Sequence, residues 1–141
     1  MKLPDSARQL IGSGAHAHLV TLNADGSPQV TVVWAGVDGD EVVTAHLMES
    51  RKIKNVRRDE RVALTFESPT RSAMGLLEYL VLYGRARLVP GGAPELLQRL
   101  ARTYLRPDVK FPPMDNPLPG NVMRITVERV AGVGPWTGRL V

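Results

Sequence analysis

The stretch His18–His46, HLVTLNADGSPQVTVVWAGVDGDEVVTAH, decides the fold. Three runs rich in β-branched residues, His18–Asn23, Pro28–Ala35 and Glu41–His46, are separated by Asp25-Gly26 and Asp38-Gly39. Asp-Gly between such runs is a strong hairpin signal, because the tight turn that matches strand twist needs positive φ at its centre. The stretch therefore predicts a three-strand antiparallel meander. At Ser50 the period changes. Ile53 and Val56 share one helical face, and the other positions through Glu60 are polar or charged. Arg61–Glu67 alternates again, with Val62, Leu64 and Phe66 on one face. Leu77–Val89 reads as a long strand in which Gly84 marks a bulge or a close approach. Phe66, Tyr79 and Tyr83 are expected to pack the interior.

Beyond Pro90-Gly91-Gly92, the residues Leu96, Leu97, Leu100, Ala101, Tyr104 and Leu105 form a helical stripe that Pro107 ends. Residues 107–120 hold five of the 11 prolines and read as an extended loop, followed by a strand over Asn121–Ala131. A short helix is expected over residues 4–13. Six strands with mostly short connections predict a mainly β domain with flanking helices. The sheet is antiparallel and forms a closed or partly closed barrel spanning residues 1–141.

At 141 residues with 43% hydrophobic and 23% charged, the chain is sized and composed for one globular domain. It has no cysteine, which excludes disulfide scaffolds, thiolate metal sites and a cysteine nucleophile. No apolar run reaches the ~20 residues of a membrane span and no signal-peptide core opens the chain, so a cytoplasmic protein is expected. His16 and His18 alternate as two metal ligands would, but no third ligand stands at a recognisable spacing, and no metal is expected.

The charge is concentrated. Arg51–Arg61, RKIKNVRRDER, carries six of the 18 cations and two of the 14 acids, so the net +4 of the chain resides there. Arg51, Lys52 and Lys54 fall in the first turn of the expected helix, where the dipole favours anions and each cation costs about 0.3–1 kcal/mol. A bound phosphate reverses that sign: backbone N–H groups, helix dipole and cations all point at it, with the Ser50 hydroxyl and the Asn55 amide as further donors. The alternative is a solvated amphipathic helix whose cations point outward. The neighbouring strand Gln29–Trp34, with small or β-branched Thr31, Val32 and Val33, offers backbone groups to a flat ring. Taken alone, Val-Thr-Val is ordinary strand composition.

The order GSPQVTVVWAGVDGDEVV (residues 26–43), SRKIKNVRRDERVALTFES (50–68), LYGRARLV (82–89) and VMRITVERVAGVGPW (122–136) resembles the pyridoxamine 5′-phosphate oxidase-like split barrels. Within them it looks closest to the coenzyme F420-dependent oxidoreductases. The resemblance implies a six-stranded antiparallel split β-barrel and a homodimer with two cofactors at the subunit interface. It implies that Ser50, Arg51, Lys52 and Lys54, with Asn55 beside them, hold the cofactor phosphate. By the same likeness Gln29, Val30, Thr31, Val32, Val33 and Trp34 lie along the ring system. Thr44, Ala45 and His46 add contacts, and Trp136 closes the site from the partner subunit. The cofactor implied is F420, with flavin mononucleotide (FMN) as the alternative. A cation run continuing to Arg57, Arg58 and Arg61 suits the anionic tail of F420, although Arg57 and Arg58 equally suit a solvent-facing position. The Trp- and Arg-rich C-terminal stretch of true pyridoxamine phosphate oxidases is lacking, so their own reaction is not expected.

The expected function is hydride transfer from reduced F420 to a small conjugated or aromatic acceptor, with the protein orienting the acceptor and excluding water. No catalytic side chain is assigned. A cofactor carrier without turnover is the second reading. Nucleic-acid binding through the basic helix is the third, disfavoured by an aromatic content of 5% and the lack of a helix-turn-helix.

Overall fold

A computed structural model describes residues 1–137. The elements are α1 (Asp5–Gly12), β1 (Ala17–Leu22), β2 (Pro28–Val33), β3 (Gly36–Asp38), β4 (Glu41–His46), α2 (Arg51–Arg58), β5 (Arg61–Arg71), β6 (Leu77–Pro90), α3 (Ala93–Tyr104) and β7 (Asn121–Val133), with a final 3-10 turn at Pro135–Thr137. The strands form one antiparallel sheet in the order β2-β1-β5-β6-β7-β4-β3. The expected elements are present, but there are seven strands among the described residues rather than six. The addition is the short β3, which lies within the link that the sequence reading left between two strands.

The expected meander is also corrected. Both Asp-Gly turns make hairpins, β1–β2 and β3–β4, but these lie at opposite ends of the sheet, and β2 does not pair with β3 or β4. Trp34 and Ala35 are the reason. The Trp34 ring leaves the strand to stack on Tyr104 (centroids 5.4 Å apart, planes at 11°) and meets Phe111 at 5.1 Å. The Tyr104 hydroxyl accepts the Ala35 N–H at 3.1 Å and donates to the Ala15 carbonyl at 2.7 Å. Side-chain chemistry from α3 thus takes over where a ladder would have continued, and the sheet stays open between β2 and β3.

Alternation sets the core. Leu19, Leu64, Phe66, Leu80, Leu82, Met123, Ile125 and Val127 point inward and are buried, and Ile53 and Val56 of α2 join them. Tyr79 and Tyr83 have the opposite parity to Leu80 and Leu82, so they face outward, 42% and 39% exposed, and do not pack the interior as expected. Outside the barrel, Glu41 ties three strands together through Arg87 of β6 and Arg124 and Thr126 of β7. Those guanidinium partners, against a smaller opposing effect of burial, hold its carboxyl down to about 2.

Gly84 sits where the β6–β7 register shifts. A Cβ there would stand 2.2 Å from the Thr126 carbonyl oxygen, nearer than two such atoms can pack, so the expected close approach is present. Gly84→Ala must push two hydrogen-bonded strands apart. Its expected cost is about 1–3 kcal/mol, read as a lower urea midpoint at unchanged slope. A midpoint equal to that of the parent would show the strands to be further apart than described.

Candidate functional site

β4 ends at His46, four residues pass, and α2 begins with Ser50 at its N-cap position. The helix is fixed by its buried face, Ile53, Asn55 and Val56, against β1 and β6. Asn55 is the polar part of that face. Its amide donates to Thr21 Oγ1 (3.0 Å) and Asn23 Oδ1 (2.9 Å), and its carbonyl accepts from Arg58 (3.1 Å). Asn55 therefore positions the helix, and its amide protons are already used. Thr21 and Asn23 escaped the sequence reading because they meet Asn55 across more than thirty positions. The one available sign was a polar Thr21 at an inward position of an alternating strand.

The continuous run of cations divides in the structure. Arg57 pairs with Glu49 (3.1 Å), Arg61 with Asp59 (2.7 Å), and Arg58 caps the Leu22 carbonyl as well as Asn55. Among the described residues, Arg51, Lys52 and Lys54 have no ion pair. Arg51 and Lys54 are exposed, whereas Lys52 is half-buried and loses proton affinity through that burial. Three like charges remain together at the positive end of a helix, an arrangement that needs a negative counterpart to become favourable.

Two hydroxyls report the same deficit. Among the described residues, Ser50 Oγ and Thr31 Oγ1 are the buried side-chain polar atoms without a hydrogen-bond partner. Ser50 makes no capping bond with its own helix. A buried hydroxyl left unpaired costs about 1–3 kcal/mol, which a ligand with acceptor oxygens would recover. Four residues before Ser50, at the end of β4, His46 is 7% exposed and its Nε2 lies 2.7 Å from Oγ1 of the fully buried Thr44. Burial, with the Lys52 charge second, pushes the His46 pKa down to about 4, so its ring is neutral at pH 7.

Thr44, Ala45, His46, Ser50, Arg51, Lys52 and Lys54 thus lie along one run of chain, from the end of β4 into the opening turn of α2. β2 stands on the other side of β1 and presents two faces. Gln29, Thr31 and Val33 are partly buried, while Val30 and Val32 point outward, 57% and 59% exposed. The β1–β2 turn shares the α2 end of the molecule: the Asp25 carboxyl, lowered chiefly by Ser27, also feels Arg51. Trp34 belongs to the Tyr104–Phe111 cluster. Trp136 is 7% exposed in the core of its own chain, where it donates from its indole to the Tyr79 carbonyl at 3.0 Å.

Residues 3–134 match the pyridoxamine 5′-phosphate oxidase family. The chain belongs to that family. Solved structures agree on the fold. An F420 reductase superposes with a TM-score of 0.75 at 22% identity, covering 92% of this chain and 98% of that one. An FMN-binding protein from Syntrophomonas wolfei gives 0.68 at 12% identity, with 92% and 85% covered. A putative pyridoxamine 5′-phosphate oxidase from Listeria innocua gives 0.66 at 19%, with 91% and 95% covered. Among curated proteins none matches. As a member of the oxidase family the chain has a split-barrel-like sheet, here open and of seven strands among the described residues.

Asn55→Ala is expected to cost about 1–3 kcal/mol, because it strands the Thr21 hydroxyl and frees Arg58. Asn55→Asp should recover little of this, since a carboxylate accepts but cannot donate to Asn23. Denaturant midpoints of the two variants measure it, and parent-like midpoints would mean the latch carries no weight.

Proposed function

We propose that this family member is an F420H2-dependent oxidoreductase whose cofactor phosphate docks at the start of α2, and that it reduces a small conjugated or aromatic acceptor. The observation that carries the reading is the unsatisfied set at that point: three cations without ion pairs beside the orphaned Ser50 hydroxyl. Phosphate oxygens are strong acceptors, and charge-assisted bonds to them are roughly twice as strong as neutral ones. Family membership supports a flavin or deazaflavin ligand, and the F420 reductase of like fold supports our choice of a deazaflavin.

In this reading Ser50 donates from its hydroxyl, and Arg51, Lys52 and Lys54 neutralise the phosphate. The free backbone N–H groups of the first helical turn add directed donors. The buried Thr31 hydroxyl and the unpaired edge of β2 hold the ring system through Gln29–Val33, with Trp34 packed on Tyr104 at the end of the strand. When bound, the reduced deazaflavin supplies a hydride. The chain's own work is to orient the acceptor and keep water away from it.

A homodimer belongs to the same proposal. Val30, Val20, Ala63 and Tyr83 stand side by side across four strands on the outer face, with Val32 and Tyr79 nearby. An outward apolar row of this kind, half-buried at Val20 and Ala63 and with the Arg129 guanidinium 4.1 Å over the Tyr83 ring, suits a protein contact, and a second copy is the occupant proposed for it. That packing would set the open edge of β2 beside a partner and complete the walls of the site.

FMN is the second reading, favoured by one observation. Arg57, Arg58 and Arg61, which suited a long anionic tail, are engaged within the chain. Fluorescence titration with F420 and with FMN decides between them. Micromolar-range F420 binding is expected, ~8 kcal/mol, weakened about tenfold or more by Lys52→Ala and by Lys54→Ala and less by Arg57→Ala. Equal affinity in the two lysine variants would remove the site assignment. Binding without oxidation of F420H2 in the presence of enones and quinones would leave a carrier.

A further inference from the structure

The place where the sheet stays open is hollow. Beside the link from β2 to β3 lies a cavity of about 210 Å³ whose walls come from three separate segments. Ile11 belongs to the end of α1, Ala35 and Val37 to the chain entering and forming β3, and Leu100 and Tyr104 to the second half of α3. Ile11, Ala35 and Leu100 are buried, and the Tyr104 hydroxyl is engaged by Ala15 and Ala35, so what these residues offer a ligand is apolar surface and a ring.

The charged group on the cavity is Arg99. Its Nη2 donates to the Val37 carbonyl at 2.9 Å, which fixes the guanidinium against β3, and among the described residues it has no ion pair. Gly36 permits that approach: a Cβ there would stand 3.0 Å from Arg99 Nη2 and 2.9 Å from Leu100 Cδ2. Asp38 and Glu95 share an adjoining cleft with Arg99, but Asp38 is paired with Arg124 at 2.8 Å, and Glu95 is exposed to solvent, where its charge is screened.

We propose that this cavity binds a small planar monocarboxylate, with its flat apolar body against Tyr104 and the buried walls and its carboxylate on Arg99. A guanidinium carries five N–H donors in a rigid fork that matches a carboxylate, and the Val37 carbonyl uses one of them. A benzene ring fits a dry cavity of about 150 Å³, so a ring bearing one carboxylate is the size this space holds. The cavity is not the phosphate cradle. It adjoins the C-terminal end of β2, whereas the β1–β2 turn, whose Asp25 feels Arg51, stands at the other end. The six residues of β2, at about 3.3 Å each, lie between. The inference therefore goes beyond the cofactor reading and does not depend on it.

Benzoate is the probe, with benzyl alcohol as its uncharged counterpart, both followed by amide shifts in NMR at constant ionic strength. Benzoate is expected to move the amides of residues 35–37 and 99–104, to bind in the millimolar range or tighter, and to raise Tm at saturation. Benzyl alcohol should move the same amides with an affinity at least about fivefold lower, since it forgoes the charge-assisted pair. In Arg99→Gln, which keeps an uncharged amide donor, benzoate should fall to the level of benzyl alcohol, while benzyl alcohol binds as it does to the wild type. Arg99→Lys, charged but without the fork, should fall between. Benzoate affinity unchanged in Arg99→Gln would overturn the proposal, as would shifts confined to residues 50–54, where unpaired cations attract any carboxylate. The titration contains neither flavin nor deazaflavin, so its failure leaves the cofactor reading standing, and failure of the F420 titration leaves this cavity standing.

Discussion

The contact on which the site depends is the amide of Asn55 against Thr21 and Asn23. It turns a short, highly charged helix, which in isolation would be far below the length that water tolerates, into a fixed part of the barrel. Ile53 and Val56 supply the apolar burial, but apolar burial is non-directional and would allow the helix to slide or rotate. Two directed hydrogen bonds, from the Asn55 amide to Thr21 and Asn23, set its rotation.

Because the helix cannot rotate, its cations are sorted by position. Arg57 and Arg58, like Arg61 at the start of β5, are satisfied by acids or by a carbonyl close to them, whereas Arg51, Lys52 and Lys54 at the opening turn have no ion pair among the described residues. The protein therefore carries a local electrostatic debt at one point, beside a hydroxyl that could have capped the helix and does not. Local disagreement with helix rules, surrounded by otherwise consistent structure, is the pattern that functional sites leave.

Much of this was legible in the sequence. Alternation in Arg61–Glu67 and the stripe of α3 gave their elements with little ambiguity, and the misplaced cations pointed to the start of α2 without reference to any fold. What was hidden depended on contacts between distant residues. Nothing local to Trp34 and Ala35 states that Tyr104, some seventy positions later, will draw them from the sheet and so separate two hairpins that looked continuous. Parity along β6 was readable in principle, yet two tyrosines suggested a core that the intervening leucines in fact supply. The division of the cation run was likewise invisible, since Glu49 is eight residues from Arg57 and Arg58 is held by a carbonyl of β1.

The sorted cations also bear on how fast a ligand arrives. Outside Arg51–Arg61 the acids and bases of the chain are equal in number, so the excess positive charge lies in that one segment. An anion diffusing nearby is drawn toward that segment once it comes within a screening length, ~8 Å in physiological salt. If an anionic ligand docks there as proposed, encounter is biased toward that orientation before any contact forms, and the bias fades as ionic strength rises.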